Sequence, residues 1–98
     1  MAGFEWDSRK EQGNLRKHHF DFTSATLSWA GPVIKMIDDR REYGETRIIA
    51  IADADGYIIV VVYTWRGEDR RIISARKANS REKKNLFEEE TRRRGRSN

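Results

Sequence analysis

The sequence predicts a small α+β domain: two N-terminal helices, an antiparallel sheet of three or four strands, and a C-terminal helix, with the helices on one face of the sheet. Three observations carry this. Ile58-Ile59-Val60-Val61-Val62 is the longest β-branched run and is apolar on both alternating faces, as a covered central strand should be. Turn-forming stretches bracket it, Asp53-Ala54-Asp55-Gly56 before and Trp65-Arg66-Gly67-Glu68-Asp69 after, each with the glycine that hairpins favour. Asn79 with Glu82 three residues later marks a helix start of the capping-box type.

Taken in order, Phe4-Glu5-Trp6 is a short strand with two aromatics on one face. Ser8 with Glu11 three residues on reads as a capping box, so a first helix runs from there to Lys17 or His18, weakened by Gly13. Phe22, Ala25, Thr26 and Trp29 fall on one face of a second helix. Asp21 stands where its N-cap is wanted, and Gly31-Pro32 ends it. Val33 to Ile37 is a strand, Asp38 to Gly44 a polar loop, and Arg47 to Ala52 a further strand. The Asp-Gly turn sets that strand antiparallel to the Tyr57 strand, and Arg70 to Arg76 pairs on the far side. Strict alternation points Arg70, Ile72, Ser74 and Arg76 one way, and Arg71, Ile73 and Ala75 the other. The last helix spans Ser80 to about Arg93, with Leu86 and Phe87 as its apolar anchors. Glu88 with Arg92, Glu89 with Arg93 and Glu90 with Arg94 are spaced as i,i+4 ion pairs. Residues 92–98 form a basic tail expected to fray.

Ninety-eight residues make one domain, residues 1–98. Hydrophobic residues are 37% and charged residues also 37%, so the core is modest and the surface densely charged. A net charge of +4, rich in arginine, favours polyanions or an acidic partner. The absence of cysteine excludes disulfides and thiolate zinc sites. His18 and His19 are adjacent, so they cannot both face one metal from a helix. No metal or other cofactor is therefore expected. No stretch has signal-peptide or transmembrane character, so the expected setting is the cytoplasm, away from membranes.

The residues resemble the BrnT toxins of BrnT/BrnA type II toxin–antitoxin systems. The matching segments are Phe4-Glu5-Trp6-Asp7, Asn14-Leu15-Arg16-Lys17-His18, Phe22 with Ala25, Pro32, and Gly44-Glu45 with Arg47. The most specific are Val61-Val62-Tyr63-Thr64, Arg66-Gly67, Arg71 to Ala78, and Arg81-Glu82. His19 stands where the family usually has glycine, Thr46 where glutamate is common, and Phe87 one place later than the expected aromatic. The resemblance implies a RelE-like fold and an endoribonuclease that inhibits translation. It also implies a cognate BrnA-like antitoxin that neutralises the toxin and alone contacts operator DNA.

RNA cleavage without metal requires that the 2′-hydroxyl lose a proton, the crowded phosphate be stabilised, and the leaving oxygen gain a proton. Arginine suits the second task, because its planar fork matches phosphate and stays charged. Arg47 and Arg76 lie near strand ends that can converge on one phosphate. Arg66, Arg70, Arg71 and Lys77 are the further RNA-binding candidates. For the proton steps the candidates are His18, Lys17 and Tyr63. His18 equally suits a helix end, and Tyr63 a core position with its hydroxyl at the rim. Composition alone fits a non-catalytic nucleic-acid-binding or regulatory module just as well. Only the resemblance favours the enzyme.

Overall fold

The computed structural model describes residues 3–54 and 56–96. The elements are β1 (Phe4–Glu5), α1 (Ser8–His18), α2 (Phe22–Leu27), a 3-10 turn (Ser28–Ala30), β2 (Val33–Ile37), β3 (Arg47–Ala54), β4 (Tyr57–Arg66), β5 (Asp69–Lys77) and α3 (Ser80–Arg96). The strands make one sheet in the order β1-β5-β4-β3-β2. β4 lies between β3 and β5, antiparallel to both, as its two-sided apolar run requires. The sheet has five strands rather than three or four, and it is mixed: β1 pairs in parallel with β5, setting Phe4 opposite Arg70 and Glu5 opposite Arg71. A two-residue strand carries no pattern that could announce a parallel partner at the other end of the chain.

The helices cover both faces, not one. On the first face Ile59 and Val61 of β4, with Ile72 and Ala75 of β5, pack under Phe22 and Ala25 of α2. On the second, Val60 and Ile51 pack under Ala78 and Leu86. The period of two along β4 makes this necessary, because each face of the apolar run needs its own cover. Of the two apolar anchors expected in α3, Leu86 is 3% exposed and holds the helix, whereas Phe87 beside it is 71% exposed. Burying one leucine contributes about 1.5–3 kcal/mol, so this residue supplies much of the hold on α3.

α1 begins one residue earlier than the capping-box reading gives. Asp7, not Ser8, is the N-cap, and its carboxylate accepts from the Arg9 N–H at 2.7 Å and the Lys10 N–H at 3.4 Å. Glu11 accepts instead from the Phe22 N–H at 3.0 Å, tying α1 to α2. α1 closes on His19, whose φ of 59° is left-handed and whose N–H donates to the Leu15 carbonyl at 2.8 Å. That conformation suits glycine and strains other residues. Replacing His19 with glycine is therefore expected to raise stability by up to about 1 kcal/mol in thermal unfolding.

Two details of β5 decide what faces where. The Asn14 side chain of α1 grips its edge: Nδ2 donates to the Ala75 carbonyl at 2.7 Å and the Phe20 carbonyl at 2.9 Å, and Oδ1 accepts from the Ala75 N–H at 3.1 Å. The β4–β5 register also slips between Val62 and Tyr63, so that Val62 faces Ser74 while Tyr63 faces Ile72. Ile73 is the extra residue of this bulge, and the alternation reverses across it. Arg70 and Ile72 thus share a face with Ala75, while Arg71, Ser74 and Arg76 share the other. Strict alternation had placed Arg70 and Arg76 together.

In α3, Arg92 pairs with Glu89 at 3.1 Å and Lys84 with Glu88 at 3.9 Å, in place of the expected Glu88–Arg92 pair. The other two expected pairs involve side chains outside the described ones. The helix carries the basic tail as far as Arg96, and Ser97, Asn98 and the turn residue Asp55 lie outside the described residues.

Candidate active site

α3 covers only part of its face of the sheet. Beyond Leu86 lies an open cleft of about 500 Å³ whose floor is Ile49, Ile51, Val60, Val62 and Ser74. Lys17 and His18 form one wall, Glu82 and Asn85 another, and Met36 and Arg40 a third, with Arg76 among them. Local structure explains each placement. Asn14 fastens α1 to the β5 edge, which carries the last turn of α1, with Lys17 and His18, to the mouth of the cleft. The bulge at Ile73 turns Arg76 to this side. The capping box expected at Asn79 forms, with the Glu82 N–H donating to Asn79 Oδ1 at 2.9 Å and the Asn79 N–H to Glu82 Oε1 at 2.8 Å.

Glu82 has a second task. Arg76 Nη1 donates to its Oε1 and Nη2 to its Oε2, both at 2.8 Å. This fork raises the Arg76 pKa and lowers that of Glu82, so the pair stays charged. The His18 pKa is lowered, first by burial and then by Lys17, Arg76 and His19. A lowered value favours the neutral imidazole, which can accept a proton.

Arg40 is fixed at the rim. Its Nε and Nη2 each donate to Asp38 at 2.8 Å, and the Tyr43 hydroxyl donates to the same carboxylate at 3.0 Å. Asp38 is buried, and its bonds to Arg40 above all hold its carboxyl far below the usual carboxylate range. The Arg40 side chain is 65% exposed, so a buried anion holds an outward-facing cation in one geometry.

The expected site residues divide between the two faces. Lys17, His18 and Arg76 meet in the cleft. Arg47 shares their face but lies outside the cleft, opposite Thr64, whereas Arg76 lies opposite Val60. Two strand spacings and four residues separate their backbones by about 16 Å. Arg47 stacks on the Tyr43 ring at 4.1 Å and pairs with Glu45 at 3.4 Å. It therefore does not converge with Arg76 on a single point, as the strand ends had suggested. Arg66 reaches the same Glu45 at 3.9 Å, and Arg71 pairs with Glu5 at 3.7 Å on this face.

Tyr63, Arg70 and Lys77 are behind the sheet. Tyr63 is 1% exposed and meets Trp29 and Trp65 edge-on, with ring centroids 5.7 and 5.9 Å away. Arg70 sits over the Trp65 ring at 4.8 Å, and Lys77 over Tyr57 at 5.6 Å. These three do not share the cleft with His18. Conversely, Arg40, Asn85 and the second role of Glu82 were not legible as site features. Arg40 sits in a loop that reads only as polar, and Glu82 had already been assigned to a cap.

Among the described residues, no group of three or more His, Asp or Glu is placed to hold a metal ion, and no helix is long and apolar enough to cross a membrane.

Comparison with known proteins adds a family. The family described as the ribonuclease toxin BrnT of type II toxin–antitoxin systems matches residues 6–82, a span that contains Lys17, His18, Arg40, Arg76 and Glu82. Among solved structures the chain is similar to the ribonuclease toxin BrnT of Brucella abortus. The TM-score is 0.61 at 26% identity, over 82% of this chain and 100% of that one. No curated protein matches.

Proposed function

The chain belongs to the BrnT family of ribonuclease toxins of type II toxin–antitoxin systems, and on that premise we propose that the cleft between α1 and α3 is where it cleaves RNA, without a metal. The observation that carries this reading is the meeting of a depressed-pKa histidine, a lysine and a fixed arginine in one cleft. Neutral His18 takes the proton of a ribose 2′-hydroxyl. The resulting oxygen attacks the adjacent phosphorus, and Arg76, with Arg40 at the rim, balances the negative charge that builds on the phosphate. The bond to the 5′ oxygen breaks, and the Lys17 ammonium protonates that oxygen. The products are a 2′,3′-cyclic phosphate and a 5′-hydroxyl, and His18 and Lys17 then exchange protons with water. Arg47 and Arg71, on the same face, hold flanking phosphates. Destruction of messages in this way inhibits translation.

Incubating the purified chain with single-stranded RNA in EDTA tests the reading. Cleavage is expected. If the RNA is bound but stays intact, with or without added divalent ions, the chain is a binding module and not a nuclease. The acid limb of the rate profile gives a finer check. A base of ordinary histidine pKa loses activity as pH falls through about 6.5. Because the His18 pKa is lowered, the rate should hold through that value and fall only at more acidic pH.

A toxin of this kind requires an inhibitor. We assign that role to a BrnA-like antitoxin whose acidic segment pairs with the cleft cations and whose own domain contacts operator DNA. The net charge of +4 and the exposed Trp65 and Phe87 supply the charge and apolar surface for such a partner. Copurified complex should neither cleave RNA nor lose operator binding, and the chain alone should not bind the operator at moderate salt.

A further inference from the structure

The fork between Arg76 and Glu82 raises a question of sign. Glu82 either competes with a phosphate for Arg76 or holds Arg76 in place for one. A count of donors separates the two. A guanidinium carries five N–H donors on three edges of a rigid plane. On Arg76, Nη1 donates to Glu82 Oε1 at 2.8 Å and to the Lys77 carbonyl at 3.2 Å, and Nη2 donates to Glu82 Oε2 at 2.8 Å. The Nε–H and the second Nη2–H have no partner among the described residues. Those two donors lie side by side on one edge, the arrangement that grips two phosphate oxygens at once.

We propose that Glu82 is a positioning residue: by holding the end of the Arg76 guanidinium together with the Lys77 carbonyl, it leaves the Nε–Nη2 edge free to bind a phosphate in the cleft. This rests on the reading of the cleft as an RNA site. The same carboxylate caps α3 through the Asn79 N–H, so the rigidity of that helix start is passed to the arginine. Arg40 has the complementary arrangement, with its Nε–Nη2 edge committed to buried Asp38 and its remaining donors turned outward. Two arginines fixed by two carboxylates thus offer a phosphodiester defined directions, where free side chains would first lose rotamer freedom.

The test uses a single-stranded 2′-O-methyl oligonucleotide, which binds but cannot be cleaved by its own 2′-oxygen. Glu82→Gln keeps the capping box, which glutamine also serves, and removes the carboxylate fork. Its oligonucleotide Kd should rise at least fivefold, and adding it to Arg76→Ala should weaken binding no further. In nitrogen-15 and carbon-13 spectra of the doubly labelled wild-type chain, the oligonucleotide should shift the Arg76 Nε–H signal while the Glu82 carboxyl carbon signal stays in place. Tighter or unchanged binding by Glu82→Gln would overturn the proposal. So would displacement of the Glu82 signal on binding, or unchanged binding by Arg76→Ala. A wild-type chain that binds the oligonucleotide in this way but cleaves no RNA would remove the nuclease reading and leave this assignment standing.

Discussion

Replacing His18 with alanine is expected to slow RNA cleavage by about 10²–10⁴-fold, the range a positioned general base contributes. The thermal midpoint should move by no more than a few degrees. His18 is half-buried at the last turn of α1, anchors no core cluster and makes no hydrogen bond to another described residue through its side chain. Its loss therefore removes little packing. Lys17→Ala should show a smaller loss that shrinks further with substrates carrying a better leaving group, because a leaving group that departs unprotonated does not need the ammonium. If His18→Ala cleaves RNA at the wild-type rate, the proton acceptor is elsewhere and the role given to the cleft fails.

The largest stability loss is expected from a residue that touches no substrate. Asn14→Ala leaves the Ala75 N–H, the Ala75 carbonyl and the Phe20 carbonyl without their partners. Asn14 is 7% exposed, and two of its three bonds are fully buried, so water replaces them poorly. Each buried orphan costs about 1–3 kcal/mol, and partial relaxation brings the sum to roughly 2–4 kcal/mol. For a domain of this size that lowers Tm by about 10–20 °C. Asn14→Asp separates the components. The carboxylate still accepts from the Ala75 N–H but turns lone pairs toward both carbonyls, so it should be no better than alanine. Because Asn14 fastens the turn that carries Lys17 and His18, both variants should also lose cleavage activity below their melting temperatures. A stable and fully active Asn14→Ala would mean that α1 is held by other contacts. Thermal unfolding followed by circular dichroism, with cleavage measured on the same samples, decides between these outcomes.

Much of the fold was legible because its signals are local. The β-branched run of β4, the turns on either side of it, the Asp21 cap of α2 and the Asn79–Glu82 box each depend on neighbours within a few residues. What was not legible depends on distance. β1 pairs in parallel with β5 across most of the chain, and no pattern inside Phe4–Glu5 selects that partner. α3 has so little apolar surface that nothing in its sequence sends it to the face opposite α2, until Val60 and Ile51 are seen to need Leu86. The site follows the same division. Lys17 and His18 could be named as candidates from residue type, and Arg76 from its strand. The bulge at Ile73 then set Arg70 and Arg76 on opposite faces, which period-two reasoning cannot foresee. Tyr63, whose residue type suits proton transfer, went into the aromatic core with Trp29 and Trp65 instead. Arg40 lines the cleft from a loop that reads only as polar, held there by buried Asp38.

The chemistry of the cut ends tests the central claim most directly. A 5′-labelled single-stranded RNA is cleaved by the purified chain in EDTA, and the new 3′ end is identified by mass spectrometry. The predicted result is a 2′,3′-cyclic phosphate with a 5′-hydroxyl on the other fragment, and no cut at a linkage whose 2′-hydroxyl is replaced by hydrogen. A free 3′-hydroxyl with a 5′-phosphate, or cleavage that proceeds only after a divalent ion is added back, would contradict it.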